Sequence, residues 1–266
     1  MKNCKKHFLI ALVVLFWGQF FAPKAAQAQV IEVGGSIGLS YYMGDINPKK
    51  PFNSSELGWG ILARYYSDTR WAFRLAYSNL QLNGSDAKSG YRPERGLEFQ
   101  TKTHDMALMA EFNFFDYFTG SKRNKITPFL FGGLSMISFT PTRDGVPLNK
   151  TTTDVDYDDN DKEVVPDKAT TSISIPFGMG VKYSLGSKIG VALEWRWDYT
   201  FTDWIDDCHA YYPKDDPAAN GTKYVQRGNK EDNDWFGYLN FSIVYKFILP
   251  SGDDCKTENK NSYSTY

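Results

Sequence analysis

Cysteine, histidine and long apolar segments are scarce in this 266-residue chain, and each scarcity excludes a class of protein. The chain has three cysteines and three histidines, and no group of them has the spacing of a zinc or iron site. Asp206, Asp207, Cys208 and His209 bring catalytic residue types together in one loop. Adjacent residues, however, rarely reach the geometry that a nucleophile and its base need. The sequence therefore predicts no enzyme, no cofactor or metal site and no small-molecule substrate.

The one apolar segment of any length lies at the start of the chain and has the features of a signal peptide. Lys2, Lys5 and Lys6 precede the apolar stretch Phe8–Trp17, and Ala26-Gln27-Ala28 is a small-x-small cleavage site. An uncleaved membrane helix is the alternative, but the apolar stretch is short and the cleavage site is good. We expect residues 1–28 to be a signal peptide. No later segment is apolar for long enough to cross a bilayer as a helix.

An excess of basic charge is also absent. Removing residues 1–28 takes away four lysines and no acid, which leaves 26 basic and 31 acidic residues and a net charge of −5. A general nucleic-acid binder would present a basic surface. Nucleic acid is therefore excluded as the expected partner.

A period of two, which indicates β-strands, runs through most of the remaining chain. In one stretch Trp195 and Trp197 alternate with Glu194, Arg196 and Asp198. Eight segments have this character: Ile31–Tyr42, Leu57–Tyr66, Trp71–Leu80, Lys102–Phe115, Thr127–Phe139, Ser172–Tyr183, Glu194–Trp204 and Trp235–Phe247. The fifth is the least regular, because Leu130, Leu134 and Met136 interrupt its alternation.

Short and long connections alternate between these segments. The short ones are 67–70, 116–125 and 184–188, and the long ones are 43–56, 83–101, 140–171 and 203–234. This alternation is typical of a transmembrane barrel with short periplasmic turns and longer extracellular loops. We therefore predict an all-β fold: an eight-stranded antiparallel outer-membrane β-barrel over residues 29–247, with four longer extracellular loops and both termini in the periplasm. A secreted β-sandwich with charged outer faces is the alternative.

In such a barrel the aromatic parity faces lipid and the charged parity faces the interior, which for eight strands is just wide enough for side chains. The ionisable residues of the inward parity number five acids and five bases. They are Glu32, Arg64, Arg74, Asp105, Glu111, Lys182, Glu194, Arg196, Asp198 and Lys246. Because unpaired charges in a narrow interior are costly, the balance predicts a plug of ion pairs and no open pore.

The two cysteines outside the signal peptide are predicted to lie on opposite sides of the membrane. Cys208 follows the seventh strand, in an extracellular loop, and Cys255 follows the eighth, in the periplasm. A hydrocarbon core of ~30 Å would separate them, whereas a disulfide needs Cα atoms within about 7 Å. Cys255 is therefore a candidate for an intermolecular disulfide with a periplasmic partner, and a free thiol is the alternative.

Two polar segments complete the pattern. Residues 248–266 form a polar tail after the closing aromatic Phe247, and we expect it to be periplasmic and either a docking segment or a solvated end. Residues 154–163 begin like a calcium-binding loop, but Asp159 and Val165 stand where the motif requires Gly and Glu. A solvated loop is the stronger interpretation.

Four stretches give the chain a resemblance to a known family. They are 42–48 (YMGDINP), 175–184 (IPFGMGVKYS), 194–207 (EWRWDYTFTDWIDD), and Arg227-Gly-Asn followed by Asn233-Asp-Trp. Together they resemble the PorG family, outer-membrane components of the type IX secretion system, over nearly all of the chain after residue 28. The family has no assigned catalytic residues. A generic OmpA-like or OmpW-like barrel with a structural, adhesion or small-pore role is the alternative.

The resemblance implies a non-enzymatic role in protein secretion, and so in virulence or gliding. The barrel would anchor a periplasmic ring of a PorK-like lipoprotein and a PorN-like protein to the outer membrane, with lipids of that membrane around it. Lys122, Arg123 and Lys125, in a predicted periplasmic turn, are candidate contacts with the ring, although basic turns are often only solvated.

Overall fold

The computed structural model describes residues 29–148, 156–157, 163–164, 169–208, 211–216, 221–226, 228 and 232–249. Eight long strands dominate these residues. They are β1 (Gln29–Met43), β2 (Glu56–Tyr66), β3 (Trp71–Ser85), β4 (Glu98–Asn113), β5 (Ile126–Arg143), β9 (Thr171–Ser184), β10 (Ile189–Thr200) and β13 (Trp235–Leu249). Five short strands lie in the loops: β6 (Val146–Pro147), β7 (Asp156–Tyr157), β8 (Glu163–Val164), β11 (Tyr211–Asp216) and β12 (Gly221–Gln226).

The helical content is slight. It consists of a four-residue helix α1 (Asp86–Ser89) and two 3-10 turns, Pro51–Ser54 and Pro93–Arg95. Among the residues that the structure describes, no helix is both long and apolar enough to cross a bilayer.

The eight long strands close into an antiparallel barrel. Their order around the sheet is β4-β3-β2-β1-β13-β10-β9-β5, and β4 also pairs with β5, which completes the ring. The extra strand β6 pairs with the end of β5, while β7–β8 and β11–β12 form separate two-stranded sheets. The predicted fold, an all-β eight-stranded antiparallel barrel, is confirmed.

The barrel has two unlike ends, as the alternation of connections predicts. We call the end with connections 67–70, 114–125 and 185–188 the turn end, and the end with connections 44–55, 86–97, 144–170 and 201–234 the loop end. The hairpins and α1 within the long connections were not predicted from the sequence, because these short elements have no clear apolar period of their own.

Side chains of the long strands alternate between an outer wall and a buried interior. In β4 all residues of the inward parity, from Phe99 to Asn113, are buried, and those of the outward parity, from Glu98 to Phe112, are exposed or half-buried. The fifth strand is regular too, since Leu130, Leu134 and Met136 all point outward. Its sequence looks irregular because Phe129 and Phe131 occupy the interior, so both of its faces are apolar.

Two details of the predicted strands differ in the structure. The seventh predicted strand, Glu194–Trp204, is observed as β10, Ile189–Thr200. After Thr200 the chain turns inward, where the Thr200 hydroxyl donates to the carbonyl of Thr202 and Trp204 is buried. Tyr41 has outward parity but is fully buried, because its ring lies 4.7 Å from that of Phe52, in the following connection.

Candidate functional site

Three places in the barrel bring polar groups together: the interior, the turn end and the loop end. The interior holds the largest group, which is centred on Glu111. Glu111 accepts from Arg64 at 2.8 Å, from Arg74 at 2.9 Å and from Lys182. Glu194 lies on the far side of Arg74 and accepts from its Nη1 through both carboxylate oxygens at 2.6 Å. One carboxylate therefore joins three cations from three different strands.

A second interior group lies further toward the loop end. Arg196 donates to Asp105 at 2.8 Å and to Asp198 at 2.7 Å. Asp198 also accepts from the hydroxyl of Ser174 at 3.2 Å. All four side chains are buried.

Glycines on the strands make room for these large side chains. A Cβ atom at Gly178 would meet the ring of Phe131 at 2.7 Å, and one at Gly180 would meet the ring of Phe129 at the same distance. A cavity of about 20 Å³, lined in part by Arg74, Glu194 and Tyr238, remains among the interior side chains. That volume is enough for about one water molecule. Side chains therefore fill this part of the interior.

The ten ionisable residues that the sequence assigns to the interior are all buried in the structure. Nine of them take part in the ion pairs of the two groups, with Glu32 accepting from Arg64 at 2.8 Å. Lys246 is placed differently, because its Nζ lies 5.3 Å from the centre of the Phe118 ring. The sequence gives the inward direction of each charge but not its partner.

At the turn end, the connection between β4 and β5 folds into the mouth of the barrel. The backbone N–H and the hydroxyl of Thr119 both donate to Glu32. Tyr117 is buried beside Tyr66, and the Gly120 N–H donates to Ser184 at 2.8 Å. The part of the predicted short connection 116–125 that contains Tyr117 and Thr119 is thus largely interior. The second half, residues 121–125, and the exposed side chain of Asp116 remain available to a partner.

That second half carries the three basic residues that the sequence proposes as contacts. Lys122, Arg123 and Lys125 are all exposed. Within the described residues none of the three has an ion-pair partner, whereas Arg70 in the neighbouring turn pairs with Asp116 at 2.9 Å. The turn end therefore presents unpaired positive charge on a connection that is fixed to the barrel interior.

The loop end holds a buried acidic cluster that the sequence did not single out. The hydroxyl oxygen of Tyr42 lies 2.6 Å from Asp206 Oδ2 and 2.7 Å from Asp234 Oδ1. Burial raises the pKa of the Asp234 carboxyl to about 7, and burial together with the charge of Asp234 raises that of Asp206 well above its usual range. A signal was available in the sequence, since Asp203, Asp206 and Asp207 stand beside apolar Trp204 and Ile205.

Cys208 belongs to the same region. Its side chain is a buried free thiol, and burial raises the pKa of this thiol well above the usual value. The backbone N–H of Cys208 donates to Asp206 at 2.8 Å. His209, Cys255, the tail 250–266, the signal peptide 1–28 and most of the acidic segment 154–163 lie outside the described residues.

One catalytic sequence pattern occurs in the chain and proves incidental. Gly34-Gly35-Ser36-Ile37-Gly38 matches G-x-S-x-G, which in hydrolases places the serine on a sharp strand-to-helix turn. Here Ser36 lies in the middle of β1. Ser36 therefore lacks the local structure that would make its hydroxyl a nucleophile.

The chain matches the family described as Domain of unknown function (DUF6089) over residues 6–254, and it belongs to that family. Among solved structures it is similar to Neisserial surface protein A (NspA), with 12% identity, a TM-score of 0.45 and coverage of 84% of this chain and 100% of that one. It is also similar to the outer membrane protein OprG from Pseudomonas aeruginosa, with 14% identity, a TM-score of 0.42 and coverage of 84% and 97%. A major outer membrane protein from Thermus thermophilus has 14% identity, a TM-score of 0.41 and coverage of 83% and 100%. No curated protein sequence matches the chain.

Proposed function

We propose that this member of the DUF6089 family is a closed outer-membrane barrel without enzymatic activity, and that it anchors the periplasmic ring of a type IX secretion system. In this proposal the barrel holds its position in the membrane, and the turn end and the tail bind the ring. The mechanism is mechanical and uses no cofactor.

The observation that carries the membrane placement is the inverted distribution of side chains. Trp59, Leu75, Leu108 and Phe241 on the outer wall are each about half exposed or more, while the ion pairs are sealed inside. A water-soluble barrel would bury the apolar set and expose the charged one. Backbone groups in hydrocarbon must also be satisfied internally, and a closed ring of strands meets that requirement.

The ring-anchoring role rests on the resemblance to the PorG family, and the turn end supports it. Lys122 and Arg123 project from a connection that Thr119 fastens to Glu32 inside the barrel. A partner bound there would be coupled to the barrel wall and not to a freely moving loop. An acidic surface on the partner would complement these two charges.

Crosslinking with mass spectrometry on intact cell envelopes tests the role. Crosslinks from Lys122 to a PorK-like or PorN-like protein are the expected result. The test variant is Lys122→Glu/Arg123→Glu. Its control is Arg70→Glu, which reverses a charge at the same end of the barrel that is already paired with Asp116. Loss of co-purification of the ring in the first variant alone supports the proposed contact, whereas wild-type envelopes without any ring crosslink contradict the anchoring role.

Cys255 supplies a second, covalent test of the same role. We propose that it forms a disulfide with a periplasmic partner, since Cys208 is buried in the barrel unit and the tail is the expected docking segment. Non-reducing electrophoresis of membranes should reveal a higher-mass band that disappears in Cys255→Ser. An identical pattern in both strains would mean that Cys255 is a free thiol.

The alternative is a generic outer-membrane barrel with a structural or adhesion role. The general fold fits both proposals equally well. A strain lacking the chain separates them, because loss of type IX cargo from the medium follows from the anchoring role, whereas normal cargo secretion with weakened surface attachment follows from an adhesion role.

A further inference from the structure

The outer wall at the turn end carries a patch in which exposed apolar rings border two cations. Four neighbouring strands contribute Ile126, Tyr183, Ile189 and Tyr245, and all four side chains are outward and exposed. Ile126 is paired with Tyr183 across β5 and β9, and Ile189 is paired with Tyr245 across β10 and β13. Because β9 and β10 are also neighbours, the four side chains form one continuous band.

Two lysines stand at the edge of this band on the turn side. Lys125 immediately precedes Ile126, and Lys188 immediately precedes Ile189, and both are exposed. The ammonium group of Lys188 lies 5.8 Å from the centre of the Tyr245 ring, so this side chain reaches over the outer wall and not across the barrel mouth. Lys188 was not among the residues that the sequence singled out.

The spacing of the two lysines suits a headgroup. The strands that follow them, β5 and β10, are separated by one strand, β9. Two inter-strand steps of about 4.8 Å, together with an offset of two residues along the strands, place the two lysine backbones roughly 12 Å apart. That distance is within the combined reach of two lysine side chains around one phosphate.

No carboxylate competes for these lysines in the described part of the turn end. The three turns contain two acids, Asp68 and Asp116. Asp68 accepts from the N–H groups of Arg70 and Trp71 in its own turn, and Asp116 pairs with Arg70. Neither Lys125 nor Lys188 has an ion-pair partner among the described residues.

We propose that this patch, Lys125 and Lys188 with Ile126, Tyr183, Ile189 and Tyr245, binds an anionic phospholipid. The phosphate lies between the two ammonium groups at the membrane surface, and the acyl chains cover the apolar band. Lysines at the edge of a bilayer extend to the headgroup level, and aromatic rings with a polar tip favour the same depth. The proposal requires the membrane placement but not the secretion role.

Lipid is favoured over an acidic protein surface because of the position of the two charges. Lys122 and Arg123 lie further along the turn, whereas Lys125 and Lys188 directly adjoin exposed apolar positions of the wall. An acidic protein would have to enter the hydrocarbon edge to reach Lys188 above Tyr245.

The purified full-length chain, folded in zwitterionic detergent micelles, tests the proposal by native mass spectrometry with added phosphatidylglycerol or phosphatidylcholine. The key variant is Lys125→Gln/Lys188→Gln and the control is Lys122→Gln/Arg123→Gln, which removes the same charge from the same end. An anionic surface attracts each lysine by about 1 kcal/mol. The key variant should therefore bind phosphatidylglycerol on the order of tenfold to thirtyfold more weakly, while the control keeps wild-type binding.

Three results would overturn the proposal. Wild-type protein could retain the two lipids equally, or both double variants could lose phosphatidylglycerol to the same extent, which would indicate a general charge effect. A poly-glutamate peptide that displaces the lipid at equal concentration would indicate an acidic protein partner instead. If the double variant does not fold, Lys188→Gln alone carries the test, with about a fivefold loss expected from one lysine.

Discussion

Tyr42 and Asp206 are 164 positions apart in the chain, yet the Tyr42 hydroxyl oxygen lies 2.6 Å from Asp206 Oδ2 at the loop end of the barrel. Asp234 Oδ1 lies 2.7 Å from the same oxygen. The other oxygen of each carboxyl group accepts a backbone N–H. Asp206 Oδ1 accepts from Cys208, and Asp234 Oδ2 accepts from Ile205. A tyrosine hydroxyl has one proton to donate. For both contacts to be hydrogen bonds, one of the two carboxyl groups must itself carry a proton.

This shared proton makes the closure of the loop end dependent on pH. Burial raises the pKa of Asp234 to about 7, above the value of about 4 for an unfolded aspartate. The protonated carboxyl group stabilises the closed loop end, in which Tyr42 contacts Asp206 and Asp234. This contribution is fully present below pH ~4 and is lost as the pH rises toward 7. The charge of Asp45 raises the pKa of both Asp234 and Asp206 and so favours the same direction.

The alkylation of Cys208 measures this opening in a Cys255→Ser background, where Cys208 is the only cysteine after residue 28. Asp234→Asn is the matched variant, because a neutral amide can donate to the Tyr42 hydroxyl oxygen at every pH while that hydroxyl donates to Asp206. We compare the Cys208 alkylation rate of the protein with Asp234 intact with that of Asp234→Asn, as a ratio at each pH. This ratio should rise several-fold between pH 5 and pH 8. The pH dependence of the thiolate fraction is common to both proteins and cancels in the ratio. A ratio that stays constant over this range would contradict a pH-dependent closure of the loop end.

Glu111 is expected to be the most sensitive single position of the interior. Glu111→Gln leaves Arg64, Arg74 and Lys182 buried close together with one acid fewer between them. Removing one partner from a buried ion-pair network typically costs about 3–5 kcal/mol. Urea unfolding in micelles, followed by the change in electrophoretic mobility of the folded barrel, measures the loss.

The controls for Glu111 come from the surface and from the network itself. Asp116→Asn breaks a pair whose two side chains are about half exposed, and it should cost less than ~1 kcal/mol. Glu111→Gln/Lys182→Met removes one cation as well, and it should recover part of the loss. Equal effects of Glu111→Gln and Asp116→Asn would show that the interior pairs are not energetically coupled.

Gly34 determines how closely the first and last strands approach each other. A Cβ atom at this position would collide with the carbonyl oxygen of Ile243 and stand 2.7 Å from the Cα atom of Val244, both of them backbone atoms of β13. Gly34→Ala should therefore interfere with barrel closure and cost more than the ~1–3 kcal/mol of ordinary overpacking. The folded fraction recovered from membranes measures this, with Gly132→Ala as the control, since its nearest atom is 3.8 Å away.

The interior also predicts that the barrel does not conduct ions. The ion pairs and the rings of Phe129 and Phe131 fill the middle of the barrel, and Thr119 with Tyr117 occupies the turn end. Planar bilayers with the purified chain should give no conductance above that of lipid with boiled protein. Steady single-channel steps would instead support the small-pore alternative.

The sequence by itself determined the strands and their two faces. Strand geometry sends successive side chains to opposite sides, so the inward direction of Glu194, Arg196 and Asp198 follows from a count along the chain. The alternation of short and long connections likewise follows from the order of strand and turn residues. These properties are local, and they specify an antiparallel barrel before any contact is known.

Only the tertiary structure decided which groups meet. Arg74 reaches Glu194 across 120 positions, Thr119 enters the barrel mouth to bind Glu32, and Tyr41 is covered by Phe52. Each contact depends on how strands far apart in the chain are brought beside one another when the barrel closes, and on how its connections fold back. A period of two gives the side of the sheet on which a residue lies, but it contains no information about the neighbour across the barrel.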